Sequence, residues 1–442
     1  MSNENAAQAF FSRRDLLAMV GKVAGGSAMY HAMTSLGFAQ ASPYSGPVQL
    51  EGAPKGATIL VLGAGVAGLV AAYELRNAGY QVKVLEYNNR AGGRAWTLRG
   101  GDEYTELGGY TQRCEFDKGL YINPGPWRIP YHHYGILDYA KRLNVPLEPF
   151  MQVNYNAYLH SKNAYGGVPQ RFRHIHADFQ GHISELLSKA VNKNQLDSAM
   201  TREDQEILRE ALKTWGALDK DYRYATGAES SDRRGYDVSP GGGLMPSPVP
   251  SKPLALKELI KSGFWRHLAE GNDRMHHSAI FQPVGGMDQI AQAIYRKVAS
   301  LVQFNAKVTK IEQGERGVTV TYTDAGSTGS VQQAKADWCV CTIPLSILSQ
   351  IDVNVAAPML DAIQAVPYEA SVKVGLQFKR RFWEQDDLIY GKSLRLACPS
   401  AGTVYRLRTA VSAIGVMRRG QSITRISARL MGELYWRANT PR

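Results

Sequence analysis

An α/β fold built on a parallel sheet is predicted by three features of the sequence. Residues 58–62 form a short β-branched and apolar run, which is typical of a buried parallel strand. This run ends in a glycine-rich turn at residues 63–68, and an apolar helix is expected over about 67–78. A second strand is expected over 81–85, directly before Glu86. The strand–turn–helix–strand order predicts a Rossmann-like domain.

The spacing of the glycines predicts that this domain binds a dinucleotide. Gly63 suits the tight turn out of the strand, Gly65 lets the backbone approach a pyrophosphate, and Gly68 lets the helix pack closely on the sheet. The start of the helix presents free N–H groups and a positive dipole end to the phosphates. Glu86 follows Gly65 at the distance where an acid binds a ribose. The predicted contacts in this segment are Gly63, Gly65, Val66, Ala67, Gly68 and Glu86.

A second group of glycines indicates which dinucleotide the domain binds. Arg90-Ala91-Gly92-Gly93-Arg94 follows the acid, and Glu106-Leu107-Gly108-Gly109 comes shortly after it. With these motifs the chain resembles the flavin amine oxidase family, which includes monoamine oxidases, polyamine oxidases and L-amino-acid oxidases. It is most similar to bacterial exported members of the amino-acid-oxidase type. The resemblance extends from about residue 57 to about residue 391, and it implies that the cofactor is FAD.

The resemblance also implies further cofactor contacts. In the family, a glycine pair lies near the isoalloxazine, and Arg94 would serve the flavin phosphates. A backbone position that corresponds to Val308 holds the adenine end. The cofactor contacts implied in this way are Tyr87, Gly92, Gly93, Arg94, Gly108, Gly109, Tyr110, Thr111 and Val308.

Two cations are the candidates for acting on a substrate. Lys373 is the only charge in the apolar centre of a strand expected over 371–378, and lysine is rarely buried without a function. The family has a lysine on this strand that holds a water at flavin N5, which implies a catalytic role for Lys373. Arg113 follows the glycine pair and is the candidate partner of a substrate carboxylate, although the spacing is longer than in amino-acid oxidases.

The resemblance implies an FAD-dependent oxidoreductase that oxidises the CH–NH2 group of an L-amino acid or primary amine. Hydride transfer to flavin N5 would give an imine, which hydrolyses to an oxo product and ammonia, and dioxygen would be reduced to hydrogen peroxide. One alternative is oxidative decarboxylation of the tryptophan 2-monooxygenase type. Another is an inactive truncated remnant that binds FAD weakly or not at all. The implied partners are the small-molecule substrate and dioxygen, and a homodimer is considered; no metal is needed.

The N-terminus predicts export rather than fold. Ser12-Arg13-Arg14-Asp15-Leu16-Leu17 is a twin-arginine pattern, and a weakly apolar stretch leads to the small-residue site Ala39-Gln40-Ala41. Residues 1–41 are therefore interpreted as a twin-arginine signal that engages the twin-arginine translocon. The expected location is periplasmic or secreted, and no other membrane span is expected.

The domain organisation follows from the motifs and from the resemblance. We expect an α+β substrate domain and a helical insertion in addition to the FAD-binding domain. The predicted segments are a linker (42–56), the first FAD-binding segment (57–150), a helical substrate insertion (151–280), the second FAD-binding segment (281–344), the start of the substrate-domain sheet (345–391) and an atypical tail (392–442).

Local patterns predict the other elements. Thr201, with an acid three residues later, is expected to begin a helix, and residues 229–252, rich in glycine and proline, are expected to form a loop. That loop could be a lid or a connector. Helices are also expected over 134–143, 177–191 and 288–301, and strands over 305–311, 317–322 and 336–343.

The charge of the chain is concentrated in its tail. Of the net charge of +12, residues 392–442 carry +9, from ten basic residues and Glu433, so the remainder carries +3. This local basicity and the lack of a recognisable module argue against nucleic-acid binding. The composition of the tail is interpreted as out-of-frame translation or another truncating event, with a divergent C-terminal domain as the alternative.

Cysteine and histidine do not predict a metal site. Four cysteines are too few for a disulfide scaffold, and Cys339 and Cys341 are expected to be small buried side chains of a strand. The histidines occur in three groups that lack an accompanying cysteine or carboxylate cluster, and solvated loops are the favoured interpretation. These groups are His132-His133, His174-Ile175-His176 and His276-His277.

Overall fold

The structure is a computed structural model whose described residues fall into two units. Unit 1 comprises those within 1–97, 123–147 and 283–370, and unit 2 comprises those within 98–122, 148–282 and 371–442. The described residues are 44–105, 109–151, 153–161, 163–193, 195, 200–272, 279–324, 329–366, 368, 373, 375–389, 394–398, 403–408 and 412–415.

The helices and strands are numbered here in chain order. The helices are α1 (Val66–Asn77), α2 (Tyr134–Arg142), α3 (Phe172–Asn192), α4 (Arg202–Gly216), α5 (Ala228–Arg234), α6 (Leu256–Ser262), α7 (Asp288–Val298), α8 (Leu345–Leu348), α9 (Ala357–Gln364) and α10 (Phe382–Gln385), with 3-10 turns at Tyr165–Gly167, Phe264–Asn272 and Ala299–Leu301. The strands are β1 (Thr58–Leu62), β2 (Gln81–Leu85), β3 (Leu98–Arg99), β4 (Glu103–Thr105), β5 (Thr111–Arg113), β6 (Tyr121–Ile122), β7 (Ile129–Pro130), β8 (Leu147–Pro149), β9 (Tyr158–Leu159), β10 (Gln170–Arg171), β11 (Tyr236–Val238), β12 (Val249–Pro250), β13 (Ile280–Pro283), β14 (Val302–Gln303), β15 (Ala306–Gly314), β16 (Gly317–Asp324), β17 (Val331–Ala336), β18 (Trp338–Cys341), β19 (Asp352–Val353), β20 (Leu394–Cys398), β21 (Thr403–Arg408) and β22 (Ser412–Gly415).

Unit 1 contains a four-stranded parallel sheet with the order β14-β2-β1-β18. The register places Leu62 beside Leu85 on one side and beside Cys341 on the other. The strands predicted over 58–62 and 81–85 are confirmed with these bounds, and the following helix starts one residue earlier than expected, at Val66. The predicted α/β class with a parallel sheet is therefore confirmed.

The two faces of this sheet are covered by different layers. Val61 and Val84 pack with Leu69 of α1 and Ile294 of α7 in one fully buried cluster. Leu60 and its neighbours on the other face pack against a second sheet, with the order β17-β16-β15-β19. β1 is buried on both faces and is apolar after Thr58, as expected for a central parallel strand, whereas β2 carries Gln81 and Lys83 at exposed positions.

The predicted strand over 336–343 is wrong in its bounds, because Asp337 separates two strands. β17 ends at Ala336 and β18 begins at Trp338. The Asp337 carboxylate accepts hydrogen bonds from the backbone N–H of Thr58, at 2.8 Å, and from its hydroxyl, at 2.7 Å. The two strands therefore belong to different sheets of unit 1.

Unit 2 is rich in helices. α3 begins at Phe172, five residues before the start expected from the sequence. α4 begins as predicted, because Thr201 and Asp204 form a reciprocal capping box. The backbone of residues 394–415 contributes β20, β21 and β22, which form an antiparallel sheet.

The interior of unit 2 holds a charged cluster centred on Asp178, which is completely buried. Its carboxylate accepts Arg234 Nε at 2.9 Å and Arg234 Nη2 at 3.3 Å. It also accepts the Tyr224 hydroxyl at 2.7 Å and the Leu254 backbone N–H at 2.8 Å. This cluster ties α3 to three later segments of the chain.

The loop predicted over 229–252 is wrong in part. Its first residues belong to α5, which the buried pair of Arg234 with Asp178 holds against α3. β11 then pairs with β12, so that the segment is a hairpin rather than an open connector. Local glycine and proline content predicted the turn at its tip, but the distant carboxylate that anchors its base was not visible in the sequence.

The strand predicted over 371–378 is also wrong for the residues that the structure describes there. Lys373 and residues 375–378 lie outside any helix or strand. Gly375 approaches Phe116 and Ile122 so closely that a Cβ would lie 2.7 Å from the Phe116 ring. The described residues of this segment contact side chains and belong to no strand, and tertiary contacts of this kind often override an alternating pattern.

Among the described residues, no helix combines the length and the apolar character that crossing a membrane requires. The predicted twin-arginine signal lies outside the described residues, and its role stays a prediction.

Candidate cofactor site

The turn between β1 and α1 contains three glycines, and the fold itself explains two of them, Gly63 and Gly68. Gly63 has a φ of +99°, and a Cβ on it would lie 2.8 Å from the hydroxyl of Thr342. A Cβ on Gly68 would lie 1.9 Å from the carbonyl oxygen of Gly63. At Gly68 a side chain would require the backbone to move, because the helix lies too close to the end of the strand. At Gly63 the positive φ disfavours any other residue, and the Thr342 hydroxyl would have to move.

Gly65 differs from these two glycines. Its φ is −69°, which any residue adopts, and a Cβ on it would meet no atom within 4 Å. Packing therefore gives no reason for glycine at this position. A bare backbone beside open space at the start of a helix fits a pyrophosphate that approaches the N–H groups of Val66 and Ala67. Gly65 is the N-cap of α1 and provides no side-chain cap that would compete for those groups.

The carboxylate of Glu86 is buried beside the same turn. Only 5% of the residue is exposed, and Oε2 accepts the backbone N–H of Ala64 at 2.6 Å. Oε1 accepts the backbone and side-chain N–H groups of Asn88 at 2.8 and 2.6 Å. The acid is thus held rigidly at the end of β2, where its remaining lone pairs can accept ribose hydroxyls.

Val308 lies on β15, and the first residue of this strand is hydrogen-bonded to Glu86. The backbone N–H of Ala306, at the start of β15, donates to the carbonyl oxygen of Glu86 at 2.8 Å. Val308 is buried, and the pairing of β15 with β16 is irregular between Val308 and Lys310. The structure therefore brings the predicted adenine-end residue and the predicted ribose-binding acid into one region of unit 1.

The second glycine motif folds directly onto the first. Gly92 and Gly65 form a parallel β-bridge, and the Gly92 N–H donates to the Ala64 carbonyl at 2.8 Å. Gly93 has a φ of +54°, and a Cβ on it would lie 3.0 Å from the Gly65 Cα. Arg90 holds the turn by donating to the Gly93 carbonyl at 3.0 Å, and its guanidinium stacks on Trp96. Arg94 and Tyr87 are exposed nearby in sequence.

A buried polar group braces this turn from behind, and the sequence analysis did not single it out. The Oδ1 of Asn123 accepts the hydroxyl of Thr97 at 2.7 Å and the backbone N–H of Met287 at 3.0 Å. The Thr97 hydroxyl also accepts the N–H of Asp288 at 3.2 Å. The start of α7 is thereby fixed to the segment that follows Arg94, and α7 in turn supports Gly92 through Ala291.

The signal for Asn123 was present but ambiguous. It begins the sequence Asn-Pro-Gly-Pro, which predicts only a turn. In the structure Gly125 lies so close to Arg94 that a Cβ on Gly125 would lie 1.8 Å from the Arg94 carbonyl oxygen. The turn is thus a packing element for the glycine motif, which a local pattern cannot reveal.

Other predicted site residues belong to unit 2. Gly108 lies outside the described residues, whereas Gly109, Tyr110 and Thr111 are exposed. Thr111 and Arg113 lie on β5, which pairs with β4 in an exposed hairpin, and Arg113 stands opposite Glu103. Their predicted roles toward the flavin and the substrate carboxylate stay predictions.

Lys373 is partly buried and also belongs to unit 2. Its segment is fixed nearby by Gln377, whose side-chain oxygen accepts the Asp117 backbone N–H at 3.0 Å. Lys373 and residues 375–378 belong to no strand, and the catalytic role of Lys373 stays a prediction.

The histidines and cysteines correct two expectations. His174 and His176 are partly buried in α3 rather than in a solvated loop, and burial lowers the pKa of His174 to about 4, assisted by the charges of Arg234 and Arg173. Cys341 is exposed rather than buried, while burial raises the pKa of Cys339 to about 12. His276 and His277 lie outside the described residues, and within those residues no cluster of three or more metal-ligand side chains occurs.

The chain is similar to known flavin-containing proteins. A family model described as flavin containing amine oxidoreductase matches residues 66–409. The L-amino-acid oxidase of Crotalus adamanteus is 30% identical over 377 residues, which cover 81% of this chain and 65% of that protein. The L-amino-acid oxidase of Vipera ammodytes ammodytes is 31% identical over 345 residues, which cover 76% of this chain and 64% of that protein.

A solved structure shows the same fold. Cyclohexylamine oxidase from Brevibacterium oxydans IH-35A matches with a TM-score of 0.50 at 15% identity, over 86% of this chain and 80% of that chain.

Two further facts follow from the matched ranges. The chain spans about 65% of the length of the curated relatives it matches. The family match continues to residue 409, so the expectation that the resemblance ends near residue 391 is wrong. The strands β20 and β21 fall within the matched range.

Proposed function

This chain belongs to the flavin-containing amine oxidoreductase family, and we propose that it oxidises the CH–NH2 group of an L-amino acid or a primary amine. Its cofactor is FAD, which when bound accepts a hydride from the carbon that bears the amine. The oxidation would give an imine that water hydrolyses to an oxo product and ammonia. Dioxygen would take the two electrons and become hydrogen peroxide.

The observation that carries this proposal is the contrast among the three glycines of the β1–α1 turn. Gly63 and Gly68 are needed by the fold, whereas Gly65 faces open space and needs a ligand to explain it. The buried Glu86 beside this space supplies the acceptor for a ribose, and the second glycine motif covers the same turn. This arrangement fits the nucleotide part of FAD.

Two residues of unit 2 are proposed to act on the substrate. Lys373 would hold a water in place for proton transfer, and Arg113 would bind a substrate carboxylate through paired N–H groups. A primary amine has no carboxylate, so these two roles can be separated by the choice of substrate.

The first test is the visible spectrum of the purified protein, with and without added FAD. Flavin bands that bleach when an L-amino acid is added without oxygen would support the proposal. A folded protein that takes up no flavin would contradict it and would favour an inactive remnant. Product analysis separates the alternatives: an oxo acid with ammonia indicates an oxidase, and an amide with carbon dioxide indicates a monooxygenase of the tryptophan type.

The second test concerns the two cations. Lys373→Met should slow flavin reduction or reoxidation while FAD content stays the same, and Lys379→Met, which removes an exposed lysine nearby, should change neither. Arg113→Gln should raise KM for an L-amino acid and leave KM for the corresponding amine unchanged. Equal effects on both substrates would remove Arg113 from carboxylate binding.

We also propose that the protein is exported by the twin-arginine translocon. The pattern at residues 12–17 supports this proposal, and the route suits a protein that acquires its cofactor before transport. Replacing Arg13 and Arg14 with lysine should leave the protein in the cytoplasm of a producing bacterium, measured by fractionation. Unchanged export would contradict the proposal. A homodimer likewise stays a prediction, which sedimentation would test.

A further inference from the structure

Arg173 is a partly buried cation of unit 2 that lacks a counter-ion among the described residues. It is the second residue of α3, and its backbone N–H donates to the Tyr155 carbonyl at 2.9 Å. Its side-chain Nε is buried and donates to no acceptor in the described part of the chain. A guanidinium carries five N–H donors and cannot lose its charge by titration near neutral pH.

The neighbouring charges make this side chain more unusual. Burial lowers the pKa of Arg173, and the nearby positive charges of Arg171 and Arg234 lower it further. Each of those two arginines has its own carboxylate: Arg171 Nη2 lies 3.7 Å from Asp387, and Arg234 pairs with the buried Asp178. Asp387 and Asp178 are thus paired with other arginines, and a positive charge remains on Arg173.

The backbone around Gly235 holds the guanidinium in place. Gly235 has a φ of +101°, a conformation that favours glycine, and follows directly after α5. A Cβ there would lie 3.0 Å from Arg173 Nη2 and 3.2 Å from its Cζ. The guanidinium therefore packs on bare backbone at the base of the β11–β12 hairpin, and its orientation is set before any ligand arrives.

We propose that Arg173 binds a small oxyanion, either a carboxylate or an inorganic phosphate. Oxyanions match the fork of N–H donors on a guanidinium, and a desolvated charge gains most from such a partner. The positive charges of Arg171 and Arg234 would favour an anion at the same place. The site uses residues of unit 2 alone and is independent of the proposed oxidase reaction, so the two proposals can fail separately.

The test measures binding by calorimetry on the full-length protein at constant ionic strength, without turnover. The probes are inorganic phosphate, acetate, L-leucine and isoamylamine, the last of which lacks a carboxylate. The variant is Arg173→Gln, and the matched control is Lys189→Gln, which removes an exposed lysine of the same helix that pairs with Glu185. L-Leucine binding is measured without oxygen and with the flavin already reduced.

The expected result is that Arg173→Gln weakens anion binding by about tenfold or more, since charge-assisted hydrogen bonds are lost. Lys189→Gln should leave it unchanged, and isoamylamine should not bind through this site. Binding of phosphate but not of acetate or L-leucine would identify a phosphate ligand. Binding of acetate or L-leucine but not of phosphate would identify a carboxylate ligand. Unchanged binding in Arg173→Gln would overturn the proposal, and so would the absence of phosphate, acetate and L-leucine binding to the unaltered protein, a measurement that does not depend on whether the variant folds.

Discussion

The cofactor turn of unit 1 and the charged cluster of unit 2 reach rigidity in opposite ways. The turn is held by backbone contacts at glycines, such as the approach of Gly68 to Gly63, and few side chains take part. The cluster is held by side chains around the buried Asp178. This residue accepts hydrogen bonds from residues 46 to 76 positions later in the chain. Rigidity built from backbone leaves N–H groups for a ligand, whereas rigidity built from side chains satisfies every charge internally.

The largest effect is expected when the central charge of the cluster, Asp178, is removed. Asp178→Asn should lower the free energy of unfolding by about 3–5 kcal/mol, because Arg234 is left buried without a counter-ion. Denaturant unfolding measures this change. The double variant Asp178→Leu with Arg234→Met should recover much of the loss, since it removes both charges. A loss below about 1 kcal/mol in the single variant would mean that the pair is solvated.

The turn should respond differently at its two kinds of glycine. Gly68→Ala should cost about 3 kcal/mol in stability and abolish FAD binding, because its Cβ would overlap the Gly63 carbonyl. Gly65→Ala should leave the melting temperature nearly unchanged, since its Cβ meets no protein atom, yet it should weaken FAD binding strongly. Flavin fluorescence and thermal unfolding of the protein without FAD measure the two effects. Normal FAD affinity in Gly65→Ala would contradict the placement of the pyrophosphate.

A substitution of Asn123, which braces the turn, tests whether side chains also stabilise the cofactor site. Asn123→Ala should lower stability by about 1–3 kcal/mol and weaken FAD binding, because Thr97 and the Met287 N–H lose a buried acceptor. Tyr139→Phe is the matched control, since it removes a buried hydroxyl of unit 1 that donates to Glu74 in the C-terminal half of α1, away from the glycine turn at the start of that helix. Equal losses of FAD affinity in the two variants would show that Asn123 acts only on stability.

The smallest expected effect is a dependence of stability on pH that arises from His174 in unit 2. The pKa of His174 is about 4 in the folded state, below its ordinary value near 6.5, because burial disfavours the charged ring. Below pH 6.5 the unfolded chain binds the proton first, so stability should fall between pH 6.5 and 4, by about 1–2 kcal/mol once the partial exposure of the ring is allowed for. In His174→Gln this fall should be smaller, and the slope that remains belongs to other groups, including His133 and His176, whose pKa values burial also lowers. A slope that is the same in both proteins would assign it to other groups.

The sequence predicted those features that depend on neighbours in the chain. Thr58–Leu62 and Gln81–Leu85 were predicted with the observed bounds, because β1 is an apolar run buried on both faces and β2 lies between the helix stop at Gly79 and Glu86. The capping box at Thr201 was equally local. The glycine spacing indicated a nucleotide site because Gly63, Gly65 and Gly68 all lie within one six-residue turn, where a local pattern is visible.

Features that depend on distant partners were not predictable in this way. The hairpin at residues 236–250 was taken for a loop, because its anchor, Asp178, lies far away in sequence. Asn123 was seen only as a component of a turn, since its acceptor role depends on the start of α7. The segment around Lys373 alternates like a strand but is not one in the residues described, where Gly375 lies close to the distant residue Phe116.

The strand order of the parallel sheet has a consequence for synthesis on the ribosome. β1 pairs with β2 early in the chain, but its other neighbour, β18, ends at Cys341. At about 5–20 residues per second, translation reaches that strand roughly 10–50 seconds after β2 has been made. During this interval the nascent βαβ unit exposes an unpaired strand edge and an apolar face. Its protection by a chaperone would therefore decide how much of the newly made protein reaches a form able to load FAD.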